Sequence, residues 1–341
     1  MTMIFTRYLY NYNDAKYSLI LAILKGSDFN EILFWADEIY HSGFKDELWQ
    51  LLIKIYLDFC YINQYLYSKT IIKSYKDWKE KNDFKSIIKT LKHLHNFNKN
   101  YSIFKLRINN QKKVSTEKIR AKKNNKFTSK LQYLLLDSLK KKNMNNVCYY
   151  MNKMEIGLIR VVIDEYNEKL NVDISVYNDK KHILISVICL SIMKNKMKYE
   201  NYRVNKSDIK FINDNNNIKG MKLYRVLKNK RLYGVNSEVG CFDVKRDDIV
   251  VGLREEWEYY AYKSPIWKKR FDKYKVKVDD KKKKIVFSDE DEYDDFYEKY
   301  NYEPDEQDEE TQYKSIKDLD DISMNEVLCN DVLETDMKVI Y

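Results

Sequence analysis

From Ala15 to Leu106 the apolar residues recur at helical spacing with few breakers, in the runs YSLILAIL, EILFWADEIY, DELWQLLIKIYLDFCYI, TIIKSYKDWKEK and DFKSIIKTLKHLHNF. That period predicts a series of amphipathic helices. Turn signals fall between the runs. KGSDFN offers Ser27 or Asp28 as an N-cap, while HSGFKDE ends one helix at Gly43 and starts the next with Asp46 and Glu47 in its first turn. Residues 1–108 therefore read as a domain of stacked antiparallel helices.

Residues 109–130, NNQKKVSTEKIRAKKNNKFTSK, are polar and basic with no apolar stripe, which predicts a basic linker or exposed loop. Residues 131–240 return to helical or mixed patterning. Within them 204–240 is loop-rich, and KLYRVLKNKRLYGV reads as a short strand pair. Residues 241–315 have sharper punctuation and read as an α+β region. REEWEYYAY is a helix ending at Lys263, and SPIWKKRFDKY restarts with Ser264 as N-cap and Pro265 at the first helical position. YKVKVDDKKKKIVF alternates as a small hairpin. SDEDEYDDFYEKY then opens on Ser288 with carboxylates, which suit the positive end of a helix dipole. Residues 316–341 read as a tail. The expected fold class is mainly α: an N-terminal helical domain and a C-terminal α region with a small β-hairpin. Trp35, Trp49 and Tyr56 fit a buried core and a subunit interface equally.

A chain of 341 residues can bury its core without a metal or disulfide staple. The cysteines (Cys60, Cys148, Cys189, Cys241, Cys329) are odd in number, mutually distant and mostly in apolar runs, so free thiols in a reducing compartment are expected. The N-terminus lacks the charged-then-apolar order of a leader. The longest apolar runs, such as HILISVICLSIM, fall short of the ~20 residues that span a bilayer, so no membrane partner is expected. With only 7 glycines and 2 prolines beside 30 tyrosines, the composition looks like that of an AT-rich genome.

Charge is unevenly placed. Residues 289–341 hold 20 Asp/Glu and 4 Lys/Arg, whereas residues 1–288 hold 58 basic and 32 acidic side chains. A basic body with an acidic end favours DNA or RNA as a partner, with Lys112, Lys113, Lys118, Arg120, Lys122, Lys123 and Lys126 of the linker and Lys268, Lys269 and Arg270 of WKKRF as phosphate contacts. Exposed Tyr or Trp would stack on bases. The acidic end would instead fold back on the basic body or dock a basic protein.

Other chemistry is thinly represented. Helical spacing puts Glu38 and His41 on one face, as in the Glu-x-x-His element of di-iron bundles. Such a site needs a second copy, which the chain lacks. The pair then reads as a solvated helix end at which His41 favours the C-terminal dipole. His93 and His95 fall on opposite sides of a helix, no cysteine pair has zinc spacing, and no glycine set forms a P-loop or dinucleotide fingerprint. No cofactor or metal is expected. The carboxylates of SDEDEYDDF leave one enzymatic alternative, a metal-dependent nuclease or nucleotidyl enzyme, provided that they converge on a common ion.

Two resemblances rest on these stretches. KGSDFNEILFWADEIYHSGFKDELWQLLIKIYLDF together with EYYAYKSPIWKKRFDKYKVKVDDKKKKIVFSDEDEYDDFYEKYNYEPDEQ resembles a set of proteins from giant DNA viruses of the mimivirus-like group. The likeness implies a viral protein of the host cytoplasm, in the viral factory or the virion, with a viral or host protein as partner, and it carries no activity. LILAILKGSDFNEILFWADEIYHSGF, residues 19–44, is similar in pattern to the helical collar of clamp-loader-like AAA+ proteins, whose ATPase motifs are absent here. That likeness implies a replication-associated oligomerising scaffold. A capsid component is a further alternative and would expose a large apolar patch. The leading expectation is a non-enzymatic interaction protein that binds protein through helical surfaces and nucleic acid through a basic face.

Overall fold

In the computed structural model the described residues are 3–101, 127–166, 202–216 and 246–300. The basic run from Lys112 to Lys126, the strand pair expected at 222–235 and the tail lie outside them. Helices make up 70% of the described residues, beside one two-stranded antiparallel sheet, so the chain is mainly α with a small C-terminal hairpin. Among the described residues no helix is long and apolar enough to cross a membrane. The chain divides into two compact units, Met1–Trp49 with Val204–Val327 and Gln50–Arg203 with Leu328–Tyr341. The helices that the pattern runs together over 1–108 are thus shared between both. Periodicity marks a helix and its apolar face, and says nothing about which distant segment covers that face.

In the first unit α1 (Tyr12–Lys25) starts at Asn11, whose side chain accepts from the Asn13 amide, and ends at Gly26 with φ 66°. The helix α2 (Phe29–His41) is capped by Asp28, which accepts from the Asn30 amide at 2.7 Å. It packs on α1 and on α9 (Lys206–Asn216). Gly43 turns the chain into α3 (Lys45–Ile55), inside which the division between units falls. At φ 100° Gly43 lies in backbone space that side chains disfavour, and an added Cβ would stand 2.5 Å from Cβ of Pro265.

The remainder of this unit is C-terminal. It comprises α10 (Arg246–Glu255), α11 (Trp257–Tyr262), α12 (Pro265–Phe271), strands β1 (Lys277–Asp279) and β2 (Lys284–Val286), and α13 (Glu290–Tyr300). Ser264 and Pro265 open α12 as the sequence predicts. In α13 the cap is Asp289, one residue later than expected, because its carboxylate accepts from the Glu292 amide at 2.9 Å. The N-terminal residues stitch the unit together. Phe5 N donates to Tyr260 O at 3.2 Å, Trp267 Nε1 donates to Thr6 O at 2.9 Å, and Ile266 N donates to Ser42 O at 3.2 Å. Aromatic rings fill the space under α11–α13. Phe271 stacks on Phe296 at 4.5 Å, and Trp257 meets Trp267 edge-on at 5.5 Å.

In the second unit α3 runs into a π-turn over Tyr56–Cys60, followed by α4 (Ser68–Lys81), α5 (Lys85–Asn96), α6 (Lys130–Lys140), α7 (Met144–Asn152) and α8 (Ile156–Glu165). The helix α4 packs on α5, and α6 packs on α7 and α8. His93 is buried between Tyr67, which stacks on it at 4.6 Å, and two backbone partners, Lys89 O at 2.7 Å from Nδ1 and Tyr202 N at 3.2 Å from Nε2. The Tyr202 amide can only donate, so Nε2 accepts and the ring proton sits on Nδ1. Past the end of α5, Lys99 Nζ donates to the carbonyls of Leu94, His95 and Phe97 at 2.6, 3.1 and 2.7 Å. These are carbonyls that a helix C-terminus leaves unpaired.

Candidate nucleic-acid interface

Residues spaced by three and four on a helix share one face. On α11 this rule groups Tyr259, Tyr262 and Lys263, and the β-hairpin lies opposite them. Together with Lys268, Val278 and Asp280 they line a groove of about 420 Å³. Tyr259 Oη donates to Asp280 Oδ1 at 3.1 Å and Tyr262 Oη donates to Asp272 Oδ1 at 3.0 Å, so each ring is held by its hydroxyl. Lys263 Nζ stands 4.0 Å from the centre of the Tyr259 ring and 4.7 Å from that of Tyr260. Lys268 Nζ is 5.9 Å from the Tyr262 ring.

The electrostatics follow from partial burial and these pairs. Desolvation raises the phenol pKa values of Tyr259 and Tyr262, and their hydrogen bonds to Asp280 and Asp272 raise them further. Both remain hydroxyl donors at neutral pH. Desolvation lowers the pKa of Lys263, and Asp280 pulls it back towards the charged form. The segment 263–284 that supplies Lys263, Lys268, Val278 and Asp280 is strongly basic. It holds Lys263, Lys268, Lys269, Arg270, Lys273, Lys275, Lys277 and the run Lys281–Lys284 against Asp272, Asp279 and Asp280. The hairpin loop is built by Asp279, whose carboxylate accepts from the amides of Lys281 and Lys282 at 3.0 Å, leaving these two side chains exposed. Lys283 differs, since its Nζ donates to Glu256 Oε2 at 3.0 Å.

Of the phosphate contacts expected from sequence, Lys268 and Lys269 are exposed, and Lys268 lines the groove. Arg270 is half-buried, with its guanidinium 4.4 Å from the Trp267 ring and 5.0 Å from that of Tyr300, so it serves packing more than the surface. Lys112, Lys113, Lys118, Arg120, Lys122, Lys123 and Lys126 lie outside the described residues. The expectation of exposed tryptophan for stacking is corrected, because Trp35, Trp49, Trp78, Trp257 and Trp267 are all buried. Trp35, Trp49 and Tyr56 are fully buried within the chain and are core residues. Tyr259, Tyr262, Lys263 and Asp280 were not expected. The spacing in EYYAYK was the available signal for the first three.

The Glu38–His41 pair also differs from its sequence reading as a solvated helix end. Asp37 and Glu38 are both fully buried, and Arg7 bridges them through Nη2 to Asp37 Oδ2 at 3.0 Å and Nε to Glu38 Oε2 at 3.2 Å. Glu38 Oε1 accepts from the Tyr8 amide at 2.7 Å. His41 turns to Asp37, with Nδ1 2.8 Å from Oδ1. Burial by itself would lower the Arg7 pKa, but Glu38 and Asp37 outweigh it and hold the guanidinium more firmly protonated than usual. This is an internal ion cluster that locks the N-terminal turn onto α2.

The carboxylates of SDEDEYDDF do not converge. Asp289, Glu290, Asp291, Asp294 and Asp295 are exposed along α13, and Asp295 accepts from Tyr274 Oη at 2.8 Å. Among the described residues no group of three His, Cys, Asp or Glu could hold a metal ion. No protein-family model matches this chain, and neither the curated proteins nor the solved structures hold a significant match.

Proposed function

We propose that this chain is a non-enzymatic nucleic-acid-binding protein of a giant DNA virus, acting in the viral factory or the virion. The observation that carries the reading is the tyrosine-lined groove of α11 and the hairpin, set in the lysine-rich surface of residues 263–284. Lysines that neutralise phosphates supply affinity, and aromatic rings supply a platform for bases. The acidic α13 follows directly on the basic segment and keeps the whole unit from being uniformly cationic, which limits indiscriminate polyanion binding. The viral setting rests on the sequence resemblance.

The test is the affinity of the full chain for labelled duplex DNA, single-stranded DNA and RNA between about 50 and 200 mM salt. Affinity should fall steeply with salt. Replacing Lys281, Lys282, Lys268 and Lys269 by alanine should weaken binding to every probe and flatten the salt slope by about one unit for each phosphate no longer neutralised. Equal binding by that variant and the wild type would refute this face as the interface. A parallel variant of Lys112, Lys113, Arg120, Lys122 and Lys123 reports whether the linker shares the load.

A further inference from the structure

The charged groups that line the groove bear on what it takes. Lys268 Nζ lies 5.9 Å from the centre of the Tyr262 ring, while Asp280, the one carboxylate among the lining residues, is held by Tyr259 Oη beside Lys263. An anion favours Lys268, and a hydrogen-bond donor favours the Asp280 carboxylate. About 420 Å³ lies in the range that accommodates a small organic ligand, and the walls offer aromatic and aliphatic surface from Tyr259, Tyr262 and Val278. One nucleotide combines the required parts: a phosphate, a flat base and a donor-bearing base edge. In a duplex the faces of each base are covered by its stacked neighbours, so a base lies flat on the tyrosines only where it is unstacked, as in a single strand.

We propose that the groove holds one unpaired nucleotide of a single strand, with its phosphate at Lys268, its base against the tyrosines, and an amino-bearing base edge donating to Asp280. This deepens the proposed nucleic-acid binding and rests on it. A carboxylate accepts from the exocyclic amine of cytosine but repels the carbonyl that replaces it in thymine or uracil. The site therefore discriminates between two pyrimidines of similar stacking surface. Lysines outside the groove bind any strand and make no such distinction.

The experiment is fluorescence anisotropy on the full chain with oligo(dC), oligo(dT) and a duplex, all of about twelve nucleotides. The wild type should bind oligo(dC) about three- to tenfold more tightly than oligo(dT), with the duplex weaker than oligo(dC). Asp280→Asn retains an acceptor for Tyr259 and can donate to a carbonyl, so it should abolish or invert the dC preference while leaving the salt slope unchanged. Lys268→Ala, at an exposed position, should weaken both single strands. Equal affinity for oligo(dC) and oligo(dT), unaltered by Asp280→Asn, overturns the inference while salt-sensitive binding upholds the broader reading. Absence of binding by every probe at low salt overturns both.

Discussion

Replacing Arg7 by methionine removes the guanidinium that bridges Asp37 and Glu38. Arg7 is 8% exposed and the two carboxylates are 0% exposed, so solvent cannot take over its role. Breaking a buried ion pair by deleting one partner costs about 3–5 kcal/mol, because the remaining charge stays desolvated. Here two carboxylates are left, which places Arg7→Met towards the upper end of that range. The loss should be repaired from the acidic side. Asp37→Asn and Glu38→Gln neutralise both charges, and glutamine keeps an oxygen for the Tyr8 amide that Glu38 Oε1 accepts at 2.7 Å. The triple variant should recover more than half of the lost stability in urea unfolding at neutral pH. If Arg7→Met costs under about 1 kcal/mol, the value of an exposed pair, the cluster is not the internal lock described here.

Two further predictions concern structure. Gly43→Ala meets both a φ of 100° and a Cβ contact of 2.5 Å with Pro265, and it should cost about 1–3 kcal/mol in thermal or urea unfolding; a neutral result would contradict the packing of α12 on the α2–α3 turn. Burial pushes the Cys60 thiol up to about 12 from 9.0, against a weaker opposite pull from Lys99. The neutral thiol is favoured in the fold, so this contribution is intact below pH 9 and is lost as pH rises towards 12. Peptide mapping after iodoacetamide treatment at about pH 8 should find Cys60 unmodified in the native protein and modified in urea. Rapid native labelling would place Cys60 outside the core.

Much of the helical architecture was legible because its causes are local. Asp28 caps α2, Pro265 opens α12, Gly43 turns the chain, and the alternation around Val278 and Ile285 forms the hairpin. The ion cluster was harder to see because Arg7 sits in TRYLYNYND, which has no helical period, and meets α2 only through the tertiary fold. A local hint existed, since Asp37 and Glu38 interrupt a run that is apolar on every side. Half of the groove was legible in the same sense. Tyr259, Tyr262 and Lys263 follow from helical spacing, whereas Val278 and Asp280 reach them from the hairpin. Tryptophan misled as a stacking residue because its burial depends on partners such as Thr6 O for Trp267, far away in sequence.

The most direct test of nucleic-acid binding at the α11–hairpin face is photocrosslinking of the full chain to a single strand carrying 5-iodopyrimidine bases, followed by peptide mapping. Crosslinks at Tyr259 or Tyr262 that disappear on competition with unlabelled strand are the predicted result. Crosslinks confined to peptides outside residues 257–284, from a strand that binds with normal salt sensitivity, would contradict it.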